Sequence, residues 1–252
     1  MSRSRLFSRE TALTILGWLV HAYTASGAFI GLLAIAAAAE HRFRASFVMM
    51  AIATAIDSSD GVLARYAEVK TRIPNFDGAL LDNIVDYLTY VVAPAYLMLV
   101  AGIVPGGTWG YVVIAAILLS SAYGFCRTNA KTPDHYFLGF PSYWNLAAFY
   151  LYLFDLQPFV NAVILAGFAV MVFVPIKYIY PSRTELLRRL TITLSLIWAV
   201  LVAYLLVTLR KPNHFIVWIS FSFIGYYLIM SIVLHAWTKW VMYRSHAHER
   251  QA

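Results

Sequence analysis

Between residues 57 and 86 the chain sets out Asp57, Asp60, Gly61 and Arg65, then Gly78, Asp82 and Asp86, beside apolar runs of membrane length. Residues three and four apart are neighbours on a helix, so Asp57 and Asp60 share one face with Arg65 next to it. Gly78, Asp82 and Asp86 repeat every four residues and share one face as well. If the two segments end one span and begin the next, antiparallel one, all four carboxylates meet at similar depth. Such a group repels itself and protonates unless cations sit within it. An ionised side chain in hydrocarbon costs about 3 kcal/mol or more, so acids kept there point to a task.

Two chemistries suit such acids. Oxygen-only ligation fits Mg²⁺ or Mn²⁺, which keep positions open for water or substrate phosphates. A proton or sodium relay in a cation-coupled transporter is the other. Gly61 and Gly78 remove side chains where a bulky ligand must approach backbone, and Arg65 offers a two-pronged donor matched to phosphate. Acids, glycines and an arginine together describe a pyrophosphate cradle better than an ion pathway. A purely structural network with Arg65, Lys70 and Arg72 leaves unexplained why the acids adjoin membrane spans.

The elements that must hold these residues follow from composition. With 61% hydrophobic and 12% charged residues among 252, the chain is far more apolar than a soluble domain. The expected fold is an all-α polytopic membrane helix bundle, a single domain over residues 1–252. Apolar runs at 11–39, 45–64, 79–104, 109–126, 138–154, 159–180, 190–209 and 213–241 read as about eight spans. The first run, about 43 Å as helix, exceeds a hydrocarbon core of about 30 Å. A break is therefore expected, with Arg3, Arg5 and Arg9 on a short N-terminal interfacial helix and the span starting near His21.

With the N-terminus inside, 15 of the 19 Lys and Arg residues face the cytoplasm, and only Arg42, Arg44, Arg210 and Lys211 face out. This is the positive-inside pattern, and it sets the acids at the cytoplasmic ends of their spans. It also explains most of the +7 net charge, so nucleic acid is an unnecessary partner and membrane lipid headgroups are natural ones. Cys126, the one cysteine, excludes intrachain disulfides and reads as a small buried apolar residue.

The pattern D-x2-D-G-x2-A-R followed by G-x3-D-x3-D, met here by Asp57, Asp60, Gly61, Ala64, Arg65, Gly78, Asp82 and Asp86, resembles the signature of the CDP-alcohol phosphotransferases. The resemblance implies that Asp57, Asp60 and Asp82 hold two divalent ions, Mn²⁺ or Mg²⁺, that Asp86 joins the metal cluster and acts as base, and that Gly61, Ala64, Arg65 and Gly78 receive the nucleotide pyrophosphate. Twelve residues separate Arg65 from Gly78 where eight are usual, an addition of about one helical turn. That spacing, with VHAYTASG, AAAEHRF, DYLTYV and GFPSYWN, is similar to the bacterial branch that joins CDP-diacylglycerol to choline. Other branches use serine or glycerol phosphate. The resemblance further implies His21 and Thr24 at the nucleotide, a homodimer, and an inner-membrane location with the active site toward the cytoplasm.

Choline carries a quaternary ammonium with no N–H, so only electrostatics and aromatic faces can hold that end, at roughly 0.5–2 kcal/mol each. Trp144 and Tyr136 come first as walls, then Tyr23, Tyr178 and Tyr143, with Asp134 as a counter-charge. Arg183, in KYIYPSRTELLRR, is expected to meet the lipid substrate's phosphate.

Overall fold

The computed structural model describes residues 3–129, 136–179 and 188–249. Asp134 and Arg183 lie outside them. The chain divides into two compact units, residues 1–114 with 144–149 and residues 115–143 with 150–252, and each is described by itself.

The first unit opens with α1 (Arg3–Ala39). It is continuous, so the expected separate interfacial helix is corrected to one long helix. No proline interrupts these 37 residues, and nothing in the sequence opposes helix where the break was expected. The helix ends in a Schellman arrangement: His41 takes the left-handed conformation (φ 56°), Arg42 N–H bonds Ala37 C=O, and His41 N–H bonds Ala38 C=O. The chain then doubles back into α2 (Phe43–Tyr66). The fully buried Ser46 ties the two together by donating to Ala34 C=O at 2.7 Å.

Small residues let α1 approach its neighbours closely. A methyl on Gly27 would lie 2.7 Å from Val85 Cγ1, and one on Gly31 would lie 3.1 Å from Leu88 Cγ and Thr89 Cγ2. Ala34 and Ala38 are fully buried farther along the helix. Close backbone approach through small residues is how helices gain packing in a bilayer, where apolar burial gives no drive.

The twelve residues after Arg65 hold the one-turn α3 (Val69–Arg72). Its Val69 and the following Ile73 bury against Val20 and Ala67, with Leu16 and Ala64 packed alongside. Pro74 stops the turn, and the Asp77 side chain then caps α4 (Gly78–Asp86) by accepting from the N–H groups of Ala79 and Leu80, both at 3.0 Å. From Asp86 the helix runs through a π-helical turn (Tyr87–Val92) into α5 (Ala93–Val100). Pro94 explains the widening: it has no N–H for the Tyr90 carbonyl, and Ala93 N–H bonds Leu88 C=O five residues back.

Beyond these come α6 (Thr108–Cys126), β1 (Tyr136–Leu138), α7 (Trp144–Phe154), α8 (Pro158–Met171), β2 (Lys177–Ile179), α9 (Arg188–Val207) and α10 (His214–Glu249). The two strands pair antiparallel, with Phe137 opposite Tyr178, the one departure from helix among the paired elements described. Six helices among the described residues are long and apolar enough to cross a membrane: Glu10–Ala39, Phe43–Tyr66, Gly78–Val100, Thr108–Cys126, Arg189–Val207 and His214–Trp237. All eight apolar runs contain helix, but α7 and α8 reach only about 16 and 21 Å, short of the hydrocarbon thickness. Asp155, left-handed at φ 49°, ends α7, and Pro158 starts α8. Cys126 is exposed at the end of α6, not buried as expected, because it falls where the helix leaves its packed length.

The close α1 contact gives a stability test. Gly27→Ala is expected to cost about 1–3 kcal/mol by overpacking and to lower the melting temperature in detergent. Adding Val85→Ala should return part of that loss. Equal melting of Gly27→Ala and the unsubstituted protein would contradict the close packing.

Candidate functional site

The first unit gathers three of the four motif acids. Asp57 on α2 and Asp82 and Asp86 on α4 each present a carboxylate oxygen, and these oxygens all lie within 4.8 Å of one another. The i, i+4 spacing of Asp82 and Asp86 puts both on the α4 face turned to α2, and the cluster is half-buried. Hard oxygen donors this close match the ligand set of a divalent ion such as Mg²⁺ or Mn²⁺.

Asp60 is outside that 4.8 Å grouping. It is 7% exposed, and its Oδ2 accepts from the buried Thr24 hydroxyl at 2.8 Å. Thr24 lies between Val20 and Gly27 on the buried stripe of α1, and its short side chain reaches α2 across the pairing that Ser46 also ties. Asp57 has a donor of its own, the Tyr90 hydroxyl, at 2.8 Å from Oδ2.

The glycines play unlike parts. A methyl on Gly78 would lie 2.7 Å from His21 Cε1, so glycine is what lets the His21 ring rest on the start of α4. That ring is 4.4 Å from the Phe76 ring and 5.8 Å from Trp18, centroid to centroid. Its Nε2 is buried with no hydrogen-bond partner among the described residues. A buried polar atom left unmade costs about 1–3 kcal/mol, so this nitrogen is suited to a ligand. A methyl on Gly61 would be 3.5 Å from the Arg65 guanidinium, an ordinary contact. Arg65 itself is exposed, and its guanidinium makes no hydrogen bond or ion pair with the described residues. Arg72 pairs with Glu68 at 2.9 Å. Ala64 packs on the Val69–Ile73 cluster, where a larger residue would push α3 off α1.

The aromatic candidates divide between the units. In the first, Trp144 is fully buried, and the exposed Tyr23 shares a hydrogen bond with Ser59 at 3.0 Å. In the second, Tyr178 is fully buried and stacks on Tyr227 at 6.4 Å, while Tyr143 meets Tyr227 at 6.5 Å. The Tyr178 hydroxyl has no partner among the described residues, and burial pushes this phenol above its ordinary pKa, keeping it neutral. One face of Tyr136 carries the Lys177 ammonium, 5.4 Å from its centroid.

Sequence reasoning passed over Tyr90, Thr54, Asn145, Asp77 and Tyr227. Tyr90 follows Asp86 by four residues and Thr54 precedes Asp57 by three, so helical periodicity was the available signal for both. Asn145 reaches Thr54 by a contact across sequence that no periodicity reveals.

The model of the family described as CDP-alcohol phosphatidyltransferase matches residues 12–177. A phosphatidylcholine synthase of Legionella pneumophila is 44% identical over 223 residues, 85% of this chain and 86% of its own length. Another, of Rhizobium meliloti, is 35% identical over 235 residues, 92% and 96% respectively. A third, of Pseudomonas aeruginosa, is 38% identical over 183 residues, 73% and 76%.

The buried Thr24–Asp60 bond has a measurable consequence. Thr24→Val keeps the shape and leaves an acceptor without its donor, so it should destabilise by about 1–3 kcal/mol, whereas Thr24→Ser should retain most of the stability. Thermal unfolding in detergent checks both; a Val variant as stable as the Ser variant would mean that the bond contributes nothing.

Proposed function

The chain belongs to the CDP-alcohol phosphatidyltransferase family, and from that premise we propose that it transfers the phosphatidyl group of CDP-diacylglycerol to choline and releases CMP. The choline acceptor is supported by relatives that are phosphatidylcholine synthases and align over most of their length. The single observation that carries the chemistry is the convergence of Asp57, Asp82 and Asp86.

In this reading Asp57, Asp60 and Asp82 hold two divalent ions, Mn²⁺ or Mg²⁺. Bound there, such ions supply charge neutralisation for the pyrophosphate and the departing CMP. Arg65, whose guanidinium has no partner among the described residues, steadies a phosphate, and Gly61 gives it room. His21, whose buried Nε2 lacks a partner among the described residues, faces the cytidine together with Thr24. The choline hydroxyl oxygen forms a bond to the phosphatidyl phosphorus as the bond to CMP breaks. Its proton passes to a carboxylate oxygen of Asp86, so no covalent enzyme intermediate forms. Arg183 meets the lipid phosphate. The Lys and Arg asymmetry supports a bacterial inner membrane location with these acids toward the cytoplasm. The working form is a homodimer.

The test is CMP release by purified protein from CDP-diacylglycerol with Mn²⁺ or Mg²⁺ and each alcohol in turn. Turnover with choline is expected; turnover with serine or glycerol phosphate alone would move the chain to another branch. Absence of CMP release with every acceptor would leave the transporter reading. Asp86→Asn is expected to abolish turnover while keeping much of the metal-dependent nucleotide binding, and Asp57→Asn or Asp82→Asn to lose both. Calorimetry with and without Mn²⁺ separates these, and loss of nucleotide binding in Asp86→Asn would make that acid a metal ligand first.

Choline recognition calls for its own measurement. Trp144 has no exposed surface and Tyr136 already faces a cation, so Tyr23→Leu and Tyr143→Leu are the informative variants. At least one should raise KM for choline severalfold with KM for CDP-diacylglycerol unchanged. If neither does, these two aromatics do not read the ammonium.

A further inference from the structure

We propose that Tyr90 is the positioning residue of the metal site, fixing Asp57 as a ligand that offers one oxygen; the proposal rests on the metal reading of the three acids. The Tyr90 side chain is 7% exposed, and its hydroxyl donates to Asp57 Oδ2 at 2.8 Å. An ionised carboxylate only accepts, which sets the direction of that bond.

The phenol is itself held. Beside the Tyr90 oxygen stands Thr54, whose own hydroxyl donates to the Met50 carbonyl at 3.0 Å. The side-chain amide of Asn145, 7% exposed, donates to Thr54 Oγ1 at 3.1 Å. The chain Asn145, Thr54, Tyr90, Asp57 therefore runs from α7 to the cluster inside the first unit. The π-helical turn that carries Tyr90 follows Asp86 directly, and Pro94 enforces it. Such turns recur at functional sites, because the widened register re-aims a side chain that an α-helix would direct elsewhere.

The chemical consequence concerns denticity. With Oδ2 occupied by the phenol, Asp57 meets an ion through its other oxygen instead of chelating with both. Mg²⁺ and Mn²⁺ favour octahedral sites of single-oxygen ligands, whereas Ca²⁺ readily takes two-oxygen carboxylates and irregular geometry. Tyr90 thus orients the ligand and also favours small octahedral ions over Ca²⁺. Partners that orient a ligand in this way are typically worth about 10–100-fold in metal affinity.

The experiment measures Mn²⁺ binding from the loss of the free-ion EPR signal, on purified full-length protein with CMP and no lipid substrate, followed by Ca²⁺ competition. Tyr90→Phe removes only the hydroxyl. It should weaken Mn²⁺ about tenfold or more and Ca²⁺ clearly less, narrowing the Mn²⁺-to-Ca²⁺ ratio. The control is Tyr150→Phe, which removes a comparably buried phenol bonded to Ser220 and Trp198 in the second unit. It should lower the melting temperature and leave both affinities alone. A Tyr90→Phe protein with wild-type Mn²⁺ affinity and ratio overturns the proposal, as does an equal shift in Tyr150→Phe. Should Tyr90→Phe fail to fold, Thr54→Val decides: a severalfold loss of Mn²⁺ affinity with a narrowed ratio supports the proposal, and unchanged values overturn it. Wild-type protein that binds no Mn²⁺ would remove the metal reading, and Tyr90's role with it. Wild-type binding with an unaffected Tyr90→Phe would remove the positioning role alone.

Discussion

Mutual repulsion among Asp57, Asp82 and Asp86 is the constraint on which the first unit depends. At the 4.8 Å limit of their oxygen separations, each ionised pair costs about 3 kcal/mol at an effective dielectric near 20. Three pairs then approach the whole stability of a typical domain, about 5–15 kcal/mol. Of the nearby cations, Arg72 is engaged by Glu68, and the Arg65 guanidinium makes no ion pair with the described residues. Two neutral donors reach the acids, Tyr90 to Asp57 and Thr24 to Asp60. Neutral donors localise charge without cancelling it, which is the state a site needs if cations from outside are to be its compensation.

That arrangement requires helices at unusually short range. Thr24 is a short side chain, and it reaches Asp60 at 2.8 Å across the close pairing of α1 with α2, while Gly27 and Gly31 bring the same helix against α4 and the π-helical turn. The Schellman end at His41 and the Ser46 bond to the Ala34 carbonyl fix how α2 returns along α1. The glycines of α1 therefore bear on where α4, which carries Asp82 and Asp86, sits against α1, although they touch none of the acids.

Much of this was legible in the sequence, and what escaped has physical causes. The shared face of Asp82 and Asp86 follows from four-residue spacing, and the membrane class follows from composition. That Asp60 falls outside the trio did not follow, because a three-residue step leaves it only about 60° around the helix from Asp57, and the donor that captures it sits on another element. The π-helical turn was legible only in part: Pro94 announces a fault in the hydrogen bonding, but not which side chain the fault re-aims. The unbroken α1 and the short α7 were misjudged for a common reason. Apolar run length reports what tolerates lipid, whereas helix length is set by caps such as Asp155 and by the absence of proline over 37 residues.

The longer spacer between the two halves of the motif shows how an insertion takes part in a site it does not interrupt. Its extra length is taken up by α3, whose Val69, with the following Ile73, buries against Val20 of α1, so α4 still begins where Asp82 and Asp86 can face α2. The rest of the spacer is not idle. Asp77 caps α4, and Phe76 lies 4.4 Å from the His21 ring, which Gly78 admits from below. The spacer therefore builds one wall around a histidine whose Nε2 has no partner among the described residues. A simple lengthened loop would leave that ring facing water, where its nitrogen would be satisfied by solvent at no cost. By burying it, the spacer gives His21 an unmet hydrogen bond, and a ligand that meets it gains more than it would from an exposed histidine.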